Sequence, residues 1–129
     1  VLGQAGDRLP DVADLERLPG AAGIKVFMGS STGSLLVEDD EGVAAILRRT
    51  RRRAAFHSED EYRLRERAHL RRPGDPSSHP EWRDVETALS CTRRLVRIAR
   101  AAGARIHVLH ISTAEEIGYL AAHKDVATC

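Results

Sequence analysis

The sequence predicts an α/β fold built on parallel strands, on three observations. Short apolar runs alternate regularly with stretches of helical periodicity, the pattern of repeated βαβ units. The run Gly23-Ile24-Lys25-Val26-Phe27-Met28-Gly29 is almost continuously apolar, as a parallel strand buried on both faces would be. The 129 residues, 42% hydrophobic and 30% charged, suffice for one compact domain with a core but not for a complete eight-stranded barrel.

The elements follow in order. Val1-Leu2-Gly3 reads as a strand tail. A helix then begins near Pro10, carries Val12, Leu15 and Leu18 on one face and ends at Pro19-Gly20. After the strand at 23–29, the Gly- and Ser-rich loop Gly29 to Ser34 leads to Glu38, Asp39 and Asp40. These acids suit the N-terminus of a helix through Val43, Ile46 and Leu47. Ala54-Ala55-Phe56-His57 is the next strand, and 58–61 is a loop or helix start. Between about 63 and 83, Pro73, Gly74, Pro76 and Pro80 break any long helix, which predicts an inserted excursion. The clearest helix carries Val85, Leu89, Leu95, Val96, Ala99 and Ala102, with Gly103 where a C-terminal cap belongs. A strand over 105–111 and a helix opened by Thr113-Ala114-Glu115-Glu116, a capping-box pattern, come next. Asp125 to Cys129 begins a further strand. The chain opens inside what reads as a strand end and stops inside another apolar stretch.

Composition narrows the partners. Twenty basic against nineteen acidic side chains leave a formal net charge of +1, which points away from nucleic acid. The arginine run 48–53 lacks interleaved aromatics and reads as a solvated helix end. No run approaches the length that crosses a bilayer. Two cysteines, Cys91 and Cys129, and no secretory signal at the start make the cytoplasm the expected compartment.

Three polar residues occupy related places: Lys25 within one strand, His57 and His110 at the C-terminal ends of the next two. Ligands and catalytic groups gather at that edge in parallel α/β folds. Lys25 sits between Ile24 and Val26. Either its ammonium is desolvated and its pKa falls, or an edge strand lets it snorkel into water. The chain has two lysines against eighteen arginines, which makes a lysine in a core strand less easily background. Alternation puts Ile106, Val108 and His110 on one face and His107, Leu109 and Ile111 on the other. His110 can then reach a pocket at the edge, while His107 is expected to pack toward the helices with its nitrogens hydrogen-bonded. Glu59, Asp60 and Glu61 follow His57; they either hold its ring or form a solvated helix start. His69, His79 and His123 carry no spacing signal. Ser58 and Ser112 lack a nucleophile elbow, and the 29–34 loop lacks the glycine-lysine ending of a P-loop, leaving it as a donor-rich substrate loop.

The motifs Gly23-Ile24-Lys25-Val26-Phe27-Met28-Gly29-Ser30-Ser31-Thr32-Gly33, His57-Ser58-Glu59-Asp60-Glu61 and His107-Val108-Leu109-His110-Ile111-Ser112-Thr113, in that order, resemble the middle of a dihydroorotase of the metal-dependent amidohydrolase superfamily. Ser78-His79-Pro80 and 83–86 resemble that family's inserted segment. The resemblance implies a (β/α)8 TIM barrel, with residues 1–129 an incomplete catalytic domain running from about the third strand to the start of the seventh. It implies that Lys25 is carboxylated and bridges two zinc ions, and that His57 and His110 ligate the second. The reaction implied is reversible closure of N-carbamoyl-L-aspartate to dihydroorotate in pyrimidine synthesis, on a small-molecule substrate and with a homo-oligomer allowed. Two departures stand out. The family's first-strand histidine pair and eighth-strand aspartate are absent with their segments, so the resemblance implies an excerpt of a larger enzyme, inactive alone for want of half the metal shell, and Ser58 replaces a frequent cysteine. Alternatives are a hydantoinase- or allantoinase-type cyclic amidase, or a non-catalytic subunit that scaffolds a partner enzyme.

Overall fold

The computed structural model describes residues 12–29 and 36–129. Four parallel strands lie side by side in chain order: β1 (Lys25–Phe27), β2 (Ala54–His57), β3 (Ile106–Leu109) and β4 (Ala127–Thr128). Parallel neighbours need long crossovers, and the helices α2 (Asp40–Leu47), α5 (Val85–Ala101) and α6 (Ala114–Ala121) provide them. The strand tail expected at Val1 to Gly3, the helix start at Pro10 and the loop over 30–34 lie outside the described residues.

Register makes the two faces of the sheet unlike. Val26, Phe56 and Val108 form one row and Ala54, Ile106 and Ala127 another, all turned toward the helices. All six are buried, and they meet Val43, Ile46 and Leu47 of α2, Leu95 and Ile98 of α5, and Leu120 of α6. On the opposite face Lys25, Ala55 and His107 form one row, and Phe27, His57 and Leu109 the next, all half-buried. The strand at 23–29 is therefore not buried on both faces. Ile24, Val26 and Met28 are buried while Lys25 and Phe27 line the open side. Its apolar appearance came from Phe27 standing beside the lysine.

Helix starts follow the cap residues. Asp39 Oδ1 accepts the Gly42 amide of α2 at 2.7 Å, and Thr113 Oγ1 accepts the Glu116 amide of α6 at 3.2 Å. Gly103 takes φ 64° just past α5, the left-handed geometry that a glycine cap accepts without strain. The first helix stops earlier than its apolar spacing predicts. α1 covers Val12–Leu15, and Leu18 is left exposed. Glu16 ends it by turning inward, where its carboxylate accepts the Arg51 and Arg52 amides (2.8 and 3.3 Å) at the loop before β2. Those amides precede a strand edge and need an acceptor.

The excursion is a chain of short helices: α3 (Glu61–Arg67), 3-10 turns at Ala68–Leu70 and Pro76–Ser78, and α4 (His79–Trp82). Asp84 closes it at the base. Its carboxylate takes Arg63 at 3.0 and 2.5 Å and caps α5 through the Thr87 amide at 3.0 Å. Arg67 Nε stands 3.3 Å from the same group.

Candidate metal centre

At the C-terminal edge of the sheet the open face gathers Lys25, His57 and His110. Lys25 lies one row below His57, and its four-carbon stem spans that row. Its Nζ ends 4.7 Å from the centre of the Phe27 ring and 3.5 Å from His110 Nε2. The His57 and His110 rings are 5.6 Å apart between centroids. A cavity of about 290 Å³ opens beside the two histidines and is also lined by His79, Arg83 and Ser112.

Alternation does not explain how His110 arrives there. Counted from Ile106 it belongs to the helix side, but β3 ends at Leu109 and His110 has φ 57°. That left-handed residue, uncommon for a non-glycine, turns the chain and swings the ring to the side of Lys25. His107 is the matching correction. It stands on the open face in the row of Lys25 and Ala55, not toward the helices, and its Nδ1 is 3.0 Å from Thr128 Oγ1.

Of the three groups, His57 has an acid beside it, while Lys25 and His110 face each other. Burial pushes the Lys25 ammonium below its usual range, and among the described residues no carboxylate bonds it. Burial again, then the charges of Lys25 and His57, push the His110 imidazole down. Glu59 is the nearby acid, and it serves His57: Oε2 lies 2.7 Å from His57 Nε2, and both oxygens bond Arg83, Oε1 at 2.8 Å from Nε. Burial would raise the Glu59 carboxyl, but the hydrogen bonds from His57 and Arg83 prevail and hold it at about 2. Of the two readings open for the acids after His57, each describes a different residue. Glu59 holds the ring, while Asp60 caps α3 through the Arg63 amide at 3.1 Å.

Ser58 points the other way, into the helix layer. Its hydroxyl meets Thr92 Oγ1 at 3.0 Å, Thr92 donates to Glu116 Oε1 at 2.8 Å, and Thr113 donates to Glu116 Oε2 at 2.9 Å. This buried chain ties the loop after β2 to α5 and α6 and takes the Ser58 hydroxyl away from the edge. Arg83 and His79 were read from the sequence as parts of the inserted segment and not as site residues; both come from the excursion, and no local spacing links them to a strand end.

Among the described residues, no three histidine, cysteine, aspartate or glutamate side chains stand together as a metal shell. The donors at the edge are two imidazoles and an amine. They fit a divalent metal on one chemical condition, that Lys25 exchange its ammonium for an anionic group. An amine that no carboxylate neutralises, 3.5 Å from an imidazole nitrogen, is suited to that exchange.

No family model and no curated protein matches the sequence. Solved structures do resemble the fold. The L-hydantoinase (dihydropyrimidinase) of Arthrobacter aurescens superposes with a TM-score of 0.84 at 18% identity, covering 96% of this chain and 30% of that one. The dihydropyrimidinase of Brevibacillus agri gives 0.81 at 22% identity, over 98% of this chain and 29% of that one. The D-hydantoinase of Bacillus sp. AR9 gives 0.81 at 22%, with the same two coverages. This chain thus spans about 30% of the length of the enzymes it resembles, and its four parallel strands and covering helices have the fold of part of a hydantoinase-type TIM barrel.

Proposed function

We propose that Lys25, His57 and His110 are ligands of a binuclear zinc centre in a hydrolase of cyclic amides, and that dihydroorotate and N-carbamoyl-L-aspartate are its substrate pair. The observation that carries this reading is the convergence of the three groups at one strand edge, with Nζ and Nε2 at 3.5 Å and the imidazole centroids at 5.6 Å. In its neutral form the Lys25 amine would add to carbon dioxide, forming an N–C bond and releasing one proton to solvent. The resulting carbamate presents two anionic oxygens where a cation stood. Two bound zinc ions would supply a water of lowered pKa and a polarised amide carbonyl. His57 and His110 would contribute neutral imidazole nitrogens, and the Phe27 ring, 4.7 Å from Lys25 Nζ, flanks the end of that side chain.

The dihydroorotate assignment draws on the long motif around Lys25, residues 23–33. A second reading, a hydantoinase or dihydropyrimidinase, is favoured by the structural likeness to enzymes of those names. The two readings share the ligands and differ in the ring that is opened.

The test is turnover by the complete protein of dihydroorotate, hydantoin, dihydrouracil and allantoin, alongside Lys25→Ala. The expected result is turnover of dihydroorotate and a fall on the order of 10³-fold or more in the variant, as removal of a metal-bridging group implies. Turnover confined to hydantoin or dihydrouracil transfers the assignment to the second reading. Undiminished activity in Lys25→Ala overturns the ligand role.

A further inference from the structure

We propose that Glu59 and Arg83 are positioning residues that hold His57 by its Nε2 and leave Nδ1 as its metal-binding atom, so that the inserted excursion is a working part of the site. The inference rests on the proposed ligand role of His57.

Three features carry it. The backbone of Glu59 is gripped from both sides. Gly29, just past β1, lies so close that a Cβ there would stand 2.4 Å from the Glu59 carbonyl oxygen, and the next amide, Asp60, donates to Thr87 at the start of α5 at 2.9 Å. The side chain is equally fixed. The Glu59 carboxylate, 15% exposed, receives His57 Nε2 on one oxygen and the Arg83 guanidinium on both. Arg83 is held in turn, its guanidinium carbon 5.3 Å from the centre of the Trp82 ring, with Arg63 and Asp84 closing the excursion beneath it. A carboxylate can only accept, so His57 Nε2 carries a proton. The lone pair of the neutral ring is then on Nδ1, and a histidine ligand oriented by a carboxylate on its other nitrogen is the usual arrangement around zinc. A salt bridge that merely fastened the excursion would not need the imidazole in the same chain.

Cadmium separates the two. In the complete protein, carrying ¹⁵N-histidine and loaded with ¹¹³Cd²⁺, the metal is expected to couple to Nδ1 of His57. Coupling to Nε2 overturns the positioning role while leaving the ligand role standing; no coupling to His57 overturns both. Zinc affinity, measured by chelator competition, is expected to fall 10- to 100-fold in Glu59→Ala and in Arg83→Met, the range found for outer partners of metal-bound histidines. The double variant should be no weaker than the weaker single one, since both act through one ring. Unchanged affinity in Glu59→Ala also overturns the role. If either variant fails to fold by circular dichroism, the cadmium coupling in the unsubstituted protein decides alone.

Discussion

The two faces of the sheet use the same alternation for opposite ends. Toward the helices the rows Val26-Phe56-Val108 and Ala54-Ile106-Ala127 are apolar and sealed; on the open side the rows hold Lys25, His57 and His107 with Phe27 and Leu109 between. Strand period two lets neighbouring residues differ this much, because each step along the chain crosses the sheet. Stability is therefore concentrated on one face and chemistry on the other, and substitutions should separate them.

The largest expected effect is on the sealed face. Phe56 is fully buried at the centre of its row, so Phe56→Ala should destabilise the fold by about 3–5 kcal/mol, read from the urea midpoint. Lys25, one row away on the open face, should behave differently. Lys25→Ala removes a desolvated amine that bonds no carboxylate among the described residues, and the stability change read from the same midpoint should stay under about 1 kcal/mol. If the two substitutions destabilised alike, the division between the faces would be wrong.

A middle-sized effect tests whether the helix layer and the site are separable where they touch. Asp84, next in sequence to Arg83, caps α5 and holds Arg63. Asp84→Ala should cost about 1–2 kcal/mol, chiefly the lost cap. The hydrogen bond from Arg63, against the opposing pull of burial and with help from Thr87, holds this carboxyl well below the usual range. A carboxyl depressed in the folded state contributes stability that is complete above its unfolded pKa near about 4 and is lost as the pH falls through its lower folded value. The gap between the protein and Asp84→Ala should thus be constant from neutral pH to about 5 and narrow only below about 4. A gap that closed between pH 8 and 6 would assign the effect to a histidine instead.

Much of this division was legible before the structure. β2 falls on the residues predicted, and Asp39, Thr113 and Gly103 act as the caps their types suggest, because those signals are local. The grouping of Lys25, His57 and His110 at one edge followed from their places on successive strands. What could not be read was which way side chains turn once a strand stops. Parity put His107 toward the helices and His110 with Ile106, and both assignments failed at a single dihedral, which no residue type nearby announces. The role of Arg83 was hidden for another reason: it meets Glu59 across 24 residues, and the excursion between them is closed by contacts such as Arg63–Asp84 that no local pattern announces. Glu16, read as part of an amphipathic helix, leaves that helix because two amides before β2 lacked an acceptor.

The smallest predicted effect bears on that dihedral. At φ 57° a side chain crowds the backbone by about 1 kcal/mol relative to glycine, partly offset because glycine has more freedom to lose on folding. His110→Gly should therefore raise stability, read from the urea midpoint, by a few tenths of a kcal/mol, while zinc affinity falls. His57 lies within β2, where extended backbone suits any residue, and His57→Gly should lower stability by about 0.5–1 kcal/mol. Opposite signs for the two histidines would show that the fold bears strain at one of them, and it does so at the one that parity would have sent to the wrong face. Equal losses in both would mean that the His110 ring, rather than its backbone, is what the fold depends on.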